Sequence, residues 1–178
     1  MNTYIVLLKG INVGGHKKVP MADLRELLSK SGFEKVQTYI QSGNIILQSS
    51  KSIVSEIESN IQKAIMTHFG FEVSVLVMTR EDLYHIFYNS PFSEEEKKAS
   101  YFIMLHDTPN DDLVKEASEK VYEGEEYKII KDCIYYYSAK GFGQSKFNAN
   151  FFERKLKTFA TARNYNTMVK LLSLSTDL

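Results

Sequence analysis

Lys35-Val36-Gln37-Thr38-Tyr39-Ile40-Gln41-Ser42-Gly43-Asn44-Ile45-Ile46-Leu47-Gln48 carries the strongest topological signal in the chain. Two strand-like runs, residues 35–40 and 45–48, flank Gln41-Ser42-Gly43-Asn44, whose Gly and Asn tolerate the positive φ of a tight turn. The stretch reads as a hairpin. On its N-terminal side, residues 3–9 form a β-branched and apolar run, and Met21, Leu24, Leu27 and Leu28 carry helical spacing over residues 20–30. On its C-terminal side, Ile53, Ile57, Ile61, Ala64 and Ile65 mark a second helix, and residues 72–78 alternate as a strand. The order is βαββαβ, that of a ferredoxin-like split βαβ unit.

After a helix at residues 80–88 and a charged connector the order begins again. Residues 101–105 read as a strand, 111–121 as a helix, and 127–131 and 133–137 as two strands; helices follow near 146–157 and 163–174. This half reads as βαββα with an extra helix in place of the last strand. The expected fold is therefore α+β, two ferredoxin-like units of antiparallel sheet faced by helices, residues 1–90 and 91–178, with an extra C-terminal helix. With the first and third strands of each unit taken to run the same way, the strand-to-helix loops at Gly10 and at Lys140 hold equivalent places in their halves.

The 178 residues are 43% hydrophobic and 25% charged, enough to bury about 70% of the unfolded surface without disulfide or metal staples. No apolar run is long enough to span a bilayer and no secretory leader opens the chain, so the expectation is a cytoplasmic protein with no membrane partner. Cys133, the single cysteine, forms no intrachain disulfide and reads as a buried structural thiol. The 22 basic and 22 acidic side chains cancel but are unevenly placed. Residues 1–51 carry +4, 52–80 carry −1, 81–127 carry −9 and 128–170 carry +7, and Asp177 adds the last −1. Two basic ends around an acidic middle can build a local positive field; they can equally neutralise the middle across the fold.

Local caps are visible. Thr79 with Asp82 and Ser93 with Glu96 have capping-box spacing, and Thr108 before Pro109, with Asp111 after, reads as another helix start. Glu94-Glu95-Glu96 then reads as a solvated helix beginning rather than a metal site. The helix that opens at Pro20 differs, because Val19 has no side-chain acceptor. Before it lies Gly10-Ile11-Asn12-Val13-Gly14-Gly15-His16-Lys17-Lys18, a glycine-rich passage from strand to helix, with two lysines near the positive end of the helix dipole. Asn12, Gly14, Gly15, His16, Lys17 and Lys18 are accordingly candidates to hold a phosphate or carboxylate. The Walker pattern is incomplete, since His16 stands where its lysine belongs. The other reading is a glycine turn before a water-capped helix.

Leu8-Lys9-Gly10-Ile11-Asn12-Val13-Gly14-Gly15 with Lys18-Val19-Pro20-Met21, Thr38-Tyr39-Ile40-Gln41-Ser42-Gly43-Asn44, and Thr161-Ala162-Arg163-Asn164-Tyr165-Asn166-Thr167 together resemble the signature of the bacterial family known as domain of unknown function sixteen-ninety-seven. Tyr165 stands where the family commonly has Trp, which keeps an aromatic ring. The resemblance implies an α+β protein with related ferredoxin-like halves and no established activity.

In the late motif, a helix capped by Thr161 would set Arg163, Thr167 and Lys170 on one cationic face, with Asn164 and Asn166 able to read hydroxyls or base edges. Alternatively, Asn164 and Asn166 close the preceding turn and Arg163 pairs with an acidic residue. Tyr39 or Tyr165 could stack a base. Lys140-Gly141-Phe142-Gly143 matches the opening of an RNA-recognition consensus, but Gln144 and Ser145 depart from it and the stretch leaves a strand, so the expectation is a Gly turn with Ser145 as helix cap. No metal, cofactor, nucleophile-elbow or zinc-protease motif is present, and His16, His68, His85 and His106 are scattered. The sequence thus points to a phosphate-bearing ligand, single-stranded nucleic acid or nucleotide, and names no catalytic residue. Two other classes stay open: an enzyme on a small anionic metabolite, with His16 as acid or base and Arg163 as clamp, and an interaction module using the acidic middle.

Overall fold

The computed structural model describes residues 1–176. It contains two four-stranded antiparallel sheets with helices packed on them. The first comprises β1 (Asn2–Leu8), β2 (Glu34–Tyr39), β3 (Asn44–Ser49) and β4 (Val75–Thr79), in the order β2-β3-β1-β4, with α1 (Met21–Lys30) and α2 (Val54–Phe69) as its crossovers. The second comprises β5 (Tyr101–Leu105), β6 (Glu125–Ile130), β7 (Cys133–Ser138) and β8 (Ala160–Asn164), in the same order β6-β7-β5-β8, with α5 (Asp111–Ala117) and α6 (Ala149–Leu156). Between the sheets in sequence lie α3 (Arg80–Tyr88) and α4 (Glu94–Lys98), and α7 (Tyr165–Leu174) follows the second. Among the described residues the compact units are residues 1–84 together with 170–176, and residues 85–169.

Each element follows from its local pattern. In the first unit Tyr4, Val6, Leu8, Ile45, Leu47, Val75 and Val77 form one sheet face, buried against Leu24 and Leu28 of α1 and Ile57, Ile61 and Ile65 of α2. The alternate residues Ile5, Leu7, Ile46, Leu76 and Met78 are buried too, which is why the central strands read as unbroken apolar runs. In the second unit Ile103, Leu105, Ile134 and Tyr136 pack with Phe152 and Leu156 of α6 and Ala117 of α5.

The two units repeat each other down to single hydrogen bonds. Leu8 N–H donates to Gly43 O at 2.8 Å and Lys9 N–H to Ser74 O at 3.0 Å; at the same places Leu105 N–H donates to Asp132 O at 2.8 Å and His106 N–H to Phe159 O at 3.0 Å. Glu58 of α2 accepts from Val77 N–H of β4, and Glu153 of α6 accepts from Ala160 N–H of β8. A helix glutamate thereby satisfies an open N–H on each fourth strand, an edge that would otherwise remain unpaired.

Three sequence expectations change. The second unit has a fourth strand: β8 pairs with β5, Phe102 opposite Arg163, so the last helix is added to a complete βαββαβ unit and does not replace a strand. The run Ala160-Thr161-Ala162-Arg163-Asn164 is too short and too polar to show a strand period, and pairing with β5 decides its conformation. The first and third strands run antiparallel, as β1 with β3 and β5 with β7, so the loops after Gly10 and after Lys140 leave opposite ends of their sheets. The counterpart of the Gly10 loop is the one that begins at His106. Finally, Asn110 and Asn148 cap α5 and α6, their side chains accepting from Leu113 N–H and Phe151 N–H, where Thr108 and Ser145 were expected. The capping pairs Thr79 with Asp82 and Ser93 with Glu96 form as expected.

The β2–β3 turn is pinned at Gly43, which has φ +78° and is buried. A Cβ there would lie 2.7 Å from Leu8 Cβ. Gly43→Ala is expected to destabilise the protein by about 2–4 kcal/mol, from strain plus overpacking, read as a lower urea midpoint at unchanged slope.

Candidate functional site

Beyond β1 the chain leaves the sheet at Gly10 and folds residues 12–17 into a miniature hairpin. Asn12 N–H donates to Lys17 O at 3.1 Å and His16 N–H to Val13 O at 3.0 Å. The two turn residues, Gly14 and Gly15, have φ of +58° and +77°, a pair of positive values that favours glycine in a two-residue turn. Asn12 holds this excursion in place. Its Oδ1 accepts from Val19 N–H at 2.8 Å, while its Nδ2 donates to Val19 O at 3.0 Å and to Gln41 O at 2.8 Å. Its own φ of +54° is one that Asn tolerates better than most residues. Two of the three quoted motifs, that of the Gly10 loop and that of the Gly43 turn, therefore meet through one amide.

Beside this loop the first unit has a cleft of about 750 Å³. Lys9 and Gly10 line it from the end of β1, and Lys17 from the small hairpin. Gln62, Lys63, Met66 and Thr67 line it from one face of α2, and Glu72, Val73 and Ser74 from the loop before β4. Lys17 Nζ donates to Glu72 O at 2.7 Å and joins two of these segments. Three lysines and one glutamate make the lining cationic. The cleft lies toward the C-terminal end of α2, so its positive charge comes from side chains and not from a helix N-terminus.

Of the residues singled out from sequence, Lys17 lines the cleft and Asn12 braces the loop beside it. Gly14, Gly15, His16 and Lys18 are exposed in and around the small hairpin, outside the described lining. Tyr39 ends β2, half-buried, and its carbonyl accepts from Asn44 Nδ2 at 3.1 Å. The N-terminus of α1 has Pro20 as its cap residue and no side-chain cap bond, as read from the sequence. Lys170 is exposed on α7.

The late motif is organised differently from the expected helical face. Arg163 sits in β8, only 7% exposed, and its Nη1 donates to Thr161 Oγ1 and to Ala162 O, each at 2.8 Å. Burial lowers its pKa to about 10, which leaves it charged at neutral pH. It cannot share a helix face with Thr167 and Lys170, because α7 begins two residues later. Asn164 Oδ1 accepts from Thr167 N–H at 2.9 Å and so caps that helix. Thr167 is buried, Asn166 is exposed, and the Tyr165 ring packs at 5.3 Å against Phe87. The Lys140 stretch leaves β7 and makes a 3₁₀ turn at Phe142–Gln144, with the Phe142 ring stacked at 4.2 Å on Tyr101.

Sequence reasoning missed Lys9, Gln62, Lys63, Thr67, Glu72 and Ser74. The polar face of α2 was legible as the side opposite Ile57, Ile61 and Ile65; that it meets the Gly10 loop depends on the antiparallel strand order. Glu96 is occupied in its capping box. Among the described residues no group of three or more His, Cys, Asp and Glu is placed to hold a metal ion, and no helix is long and apolar enough to cross a membrane.

Residues 1–135 match the family model described as "Protein of unknown function (DUF1697)", and the chain belongs to that family. No curated protein matches significantly. Among solved structures, the chain is similar to the conserved bacterial protein SP0830 from Streptococcus pneumoniae. The two share 26% identity, with a TM-score of 0.76, over 97% of this chain and 98% of that one.

Two outcomes follow from this geometry. Asn12→Asp keeps the acceptor for Val19 N–H but sets a carboxylate oxygen against two carbonyls. It is expected to cost about 2–4 kcal/mol in chemical denaturation and to speed amide exchange at Val19. Cys133 is fully buried, and burial holds its thiol well above the ordinary range. The unfolded chain releases this proton near its usual pKa while the folded chain keeps it, so the Cys133 contribution to stability falls as pH rises above that value. Labelling of Cys133 by a thiol reagent is expected to be slow in the native protein and immediate in denaturant.

Proposed function

We propose that the protein binds a phosphate-bearing ligand, of the size of a nucleotide, in the cleft of its first unit. The observation that carries this reading is the placement of Lys9, Lys17 and Lys63, from three separate segments, around one cleft whose described lining includes one carboxylate residue, Glu72. Three ammonium groups against one carboxylate leave a charge that suits a phosphate monoester, which carries roughly −1.5 to −2 at neutral pH. A cleft of about 750 Å³ falls in the range of small-ligand sites, whereas a nucleic-acid strand would need a groove that continues past it. A lysine ammonium is a point charge without the planar fork of arginine, so affinity is modest and salt-dependent.

Calorimetric titration of inorganic phosphate and of AMP at low ionic strength tests this. Both are expected to bind, more weakly at 0.2 M salt. A Lys17→Ala, Lys63→Ala double substitution is expected to weaken both by about tenfold or more. If neither ligand binds at low salt, the proposal fails.

A further inference from the structure

The remaining lining of the cleft is informative about what accompanies the phosphate. Among its described residues there is no aromatic side chain, so nothing in the cleft offers a flat surface on which a base could stack. Instead Gln62, Thr67 and Glu72 line the cleft together with the lysines, residue types that supply partners for hydroxyl groups. A carboxylate repels a bare phosphate and is out of place in a site built for that ion alone. As an acceptor for neighbouring hydroxyl groups it is well suited, because a hydrogen bond to a charged acceptor is stronger than one between neutral groups. Lys17 Nζ holds the backbone carbonyl of Glu72 at 2.7 Å, so one cationic residue fixes the segment that carries the carboxylate. Met66, 47% exposed, adds an apolar surface of the kind that the C–H face of a sugar ring covers.

Resting on the phosphate reading above, we infer that the ligand is a phosphorylated sugar, its phosphate held by the lysines and its hydroxyls by Glu72, Gln62 and Thr67. Any base attached to it gains no stacking partner in the cleft and adds little to affinity. The ring hydroxyls donate to the Glu72 carboxylate and accept from the Gln62 amide. Glu72 thereby separates a sugar phosphate from inorganic phosphate, for which the carboxylate is only a repulsive charge.

The test is a calorimetric comparison of ribose 5-phosphate, ribose, inorganic phosphate and AMP on the wild type and on Glu72→Ala. Circular dichroism checks that this exposed position leaves the fold intact. Ribose 5-phosphate is expected to bind at least about tenfold more tightly than phosphate, with AMP within about threefold of it and ribose alone without measurable binding. Glu72→Ala is expected to bring ribose 5-phosphate to within about threefold of phosphate without weakening phosphate itself. Phosphate binding without that sugar preference overturns this inference alone, as does AMP binding more than about threefold tighter than ribose 5-phosphate, or a sugar preference that survives Glu72→Ala. If no phosphate ester and no phosphate binds at low salt, the proposed function falls with it.

Discussion

The close approach of the Gly43 turn to the end of β1 is the constraint on which the first unit depends. At Gly43 the backbone must pass so near Leu8 that no side chain fits, and the same turn supplies the Gln41 carbonyl that Asn12 grips. The structure accepts a cost to keep this approach: Ile40, a β-branched residue, sits at φ +49°. Such a conformation persists only where its surroundings over-determine it. Here the surroundings are Asn44, whose amide donates to Tyr39 O and Ser42 Oγ, and the pairing of β3 with β1. Once turn and strand end are locked, the Gly10 loop has a fixed base, and Lys9 and Lys17 are delivered to the cleft on a braced backbone.

How much of this was legible depended on the range of the signal. Strands and helices with strong periods, such as Ile57, Ile61 and Ile65 or the hairpin around Gly43, were read correctly because burial imposes the period directly. The reciprocal caps at Thr79 and Ser93 were legible because each is complete within four residues. β8 was not legible, since five residues with Arg163 among them show no alternation and owe their conformation to β5. The strand direction inside each unit came from pairing, which leaves no local trace. The cleft suffered most from that. Lys63 is on an ordinary polar helix face and Lys9 at an ordinary strand end, and only the antiparallel order of β1, β3 and β4 sets them around one space. Gly14 and Gly15 drew attention as a ligand cradle, while their positive φ values are accounted for by the small hairpin they turn.

The two units show how one topology carries different chemistry. The same pair of backbone hydrogen bonds ties off β1 and β5, yet the loop after β1 is glycine-rich and cationic, whereas the loop after β5 opens with His106 and Asp107. Asp107 N–H donates to Thr158 Oγ1 at 2.9 Å, and that hydroxyl donates back to the carboxylate at 3.2 Å. Contact with His106 Nδ1 at 2.8 Å helps hold the Asp107 carboxyl below the usual carboxylate range. In one unit a lysine reaches across to the loop before the fourth strand; in the other Asp107 does so and meets the Thr158 hydroxyl there. The shared frame is the backbone, and the side chains at the strand end set the sign of the charge.

Asn164 is both the last residue of β8 and the cap of α7, so strand and helix meet with no connector between them. The chain therefore has no slack at this point. A single inserted residue would turn the whole of α7 by about 100° about its axis and carry Met168 and Leu171 out of the interior, while insertion at Gly14–Gly15 would only lengthen an exposed tip. Length variation within related chains should accordingly be written into the small hairpin and be absent from the strand-to-helix junction, which works as a rigid elbow.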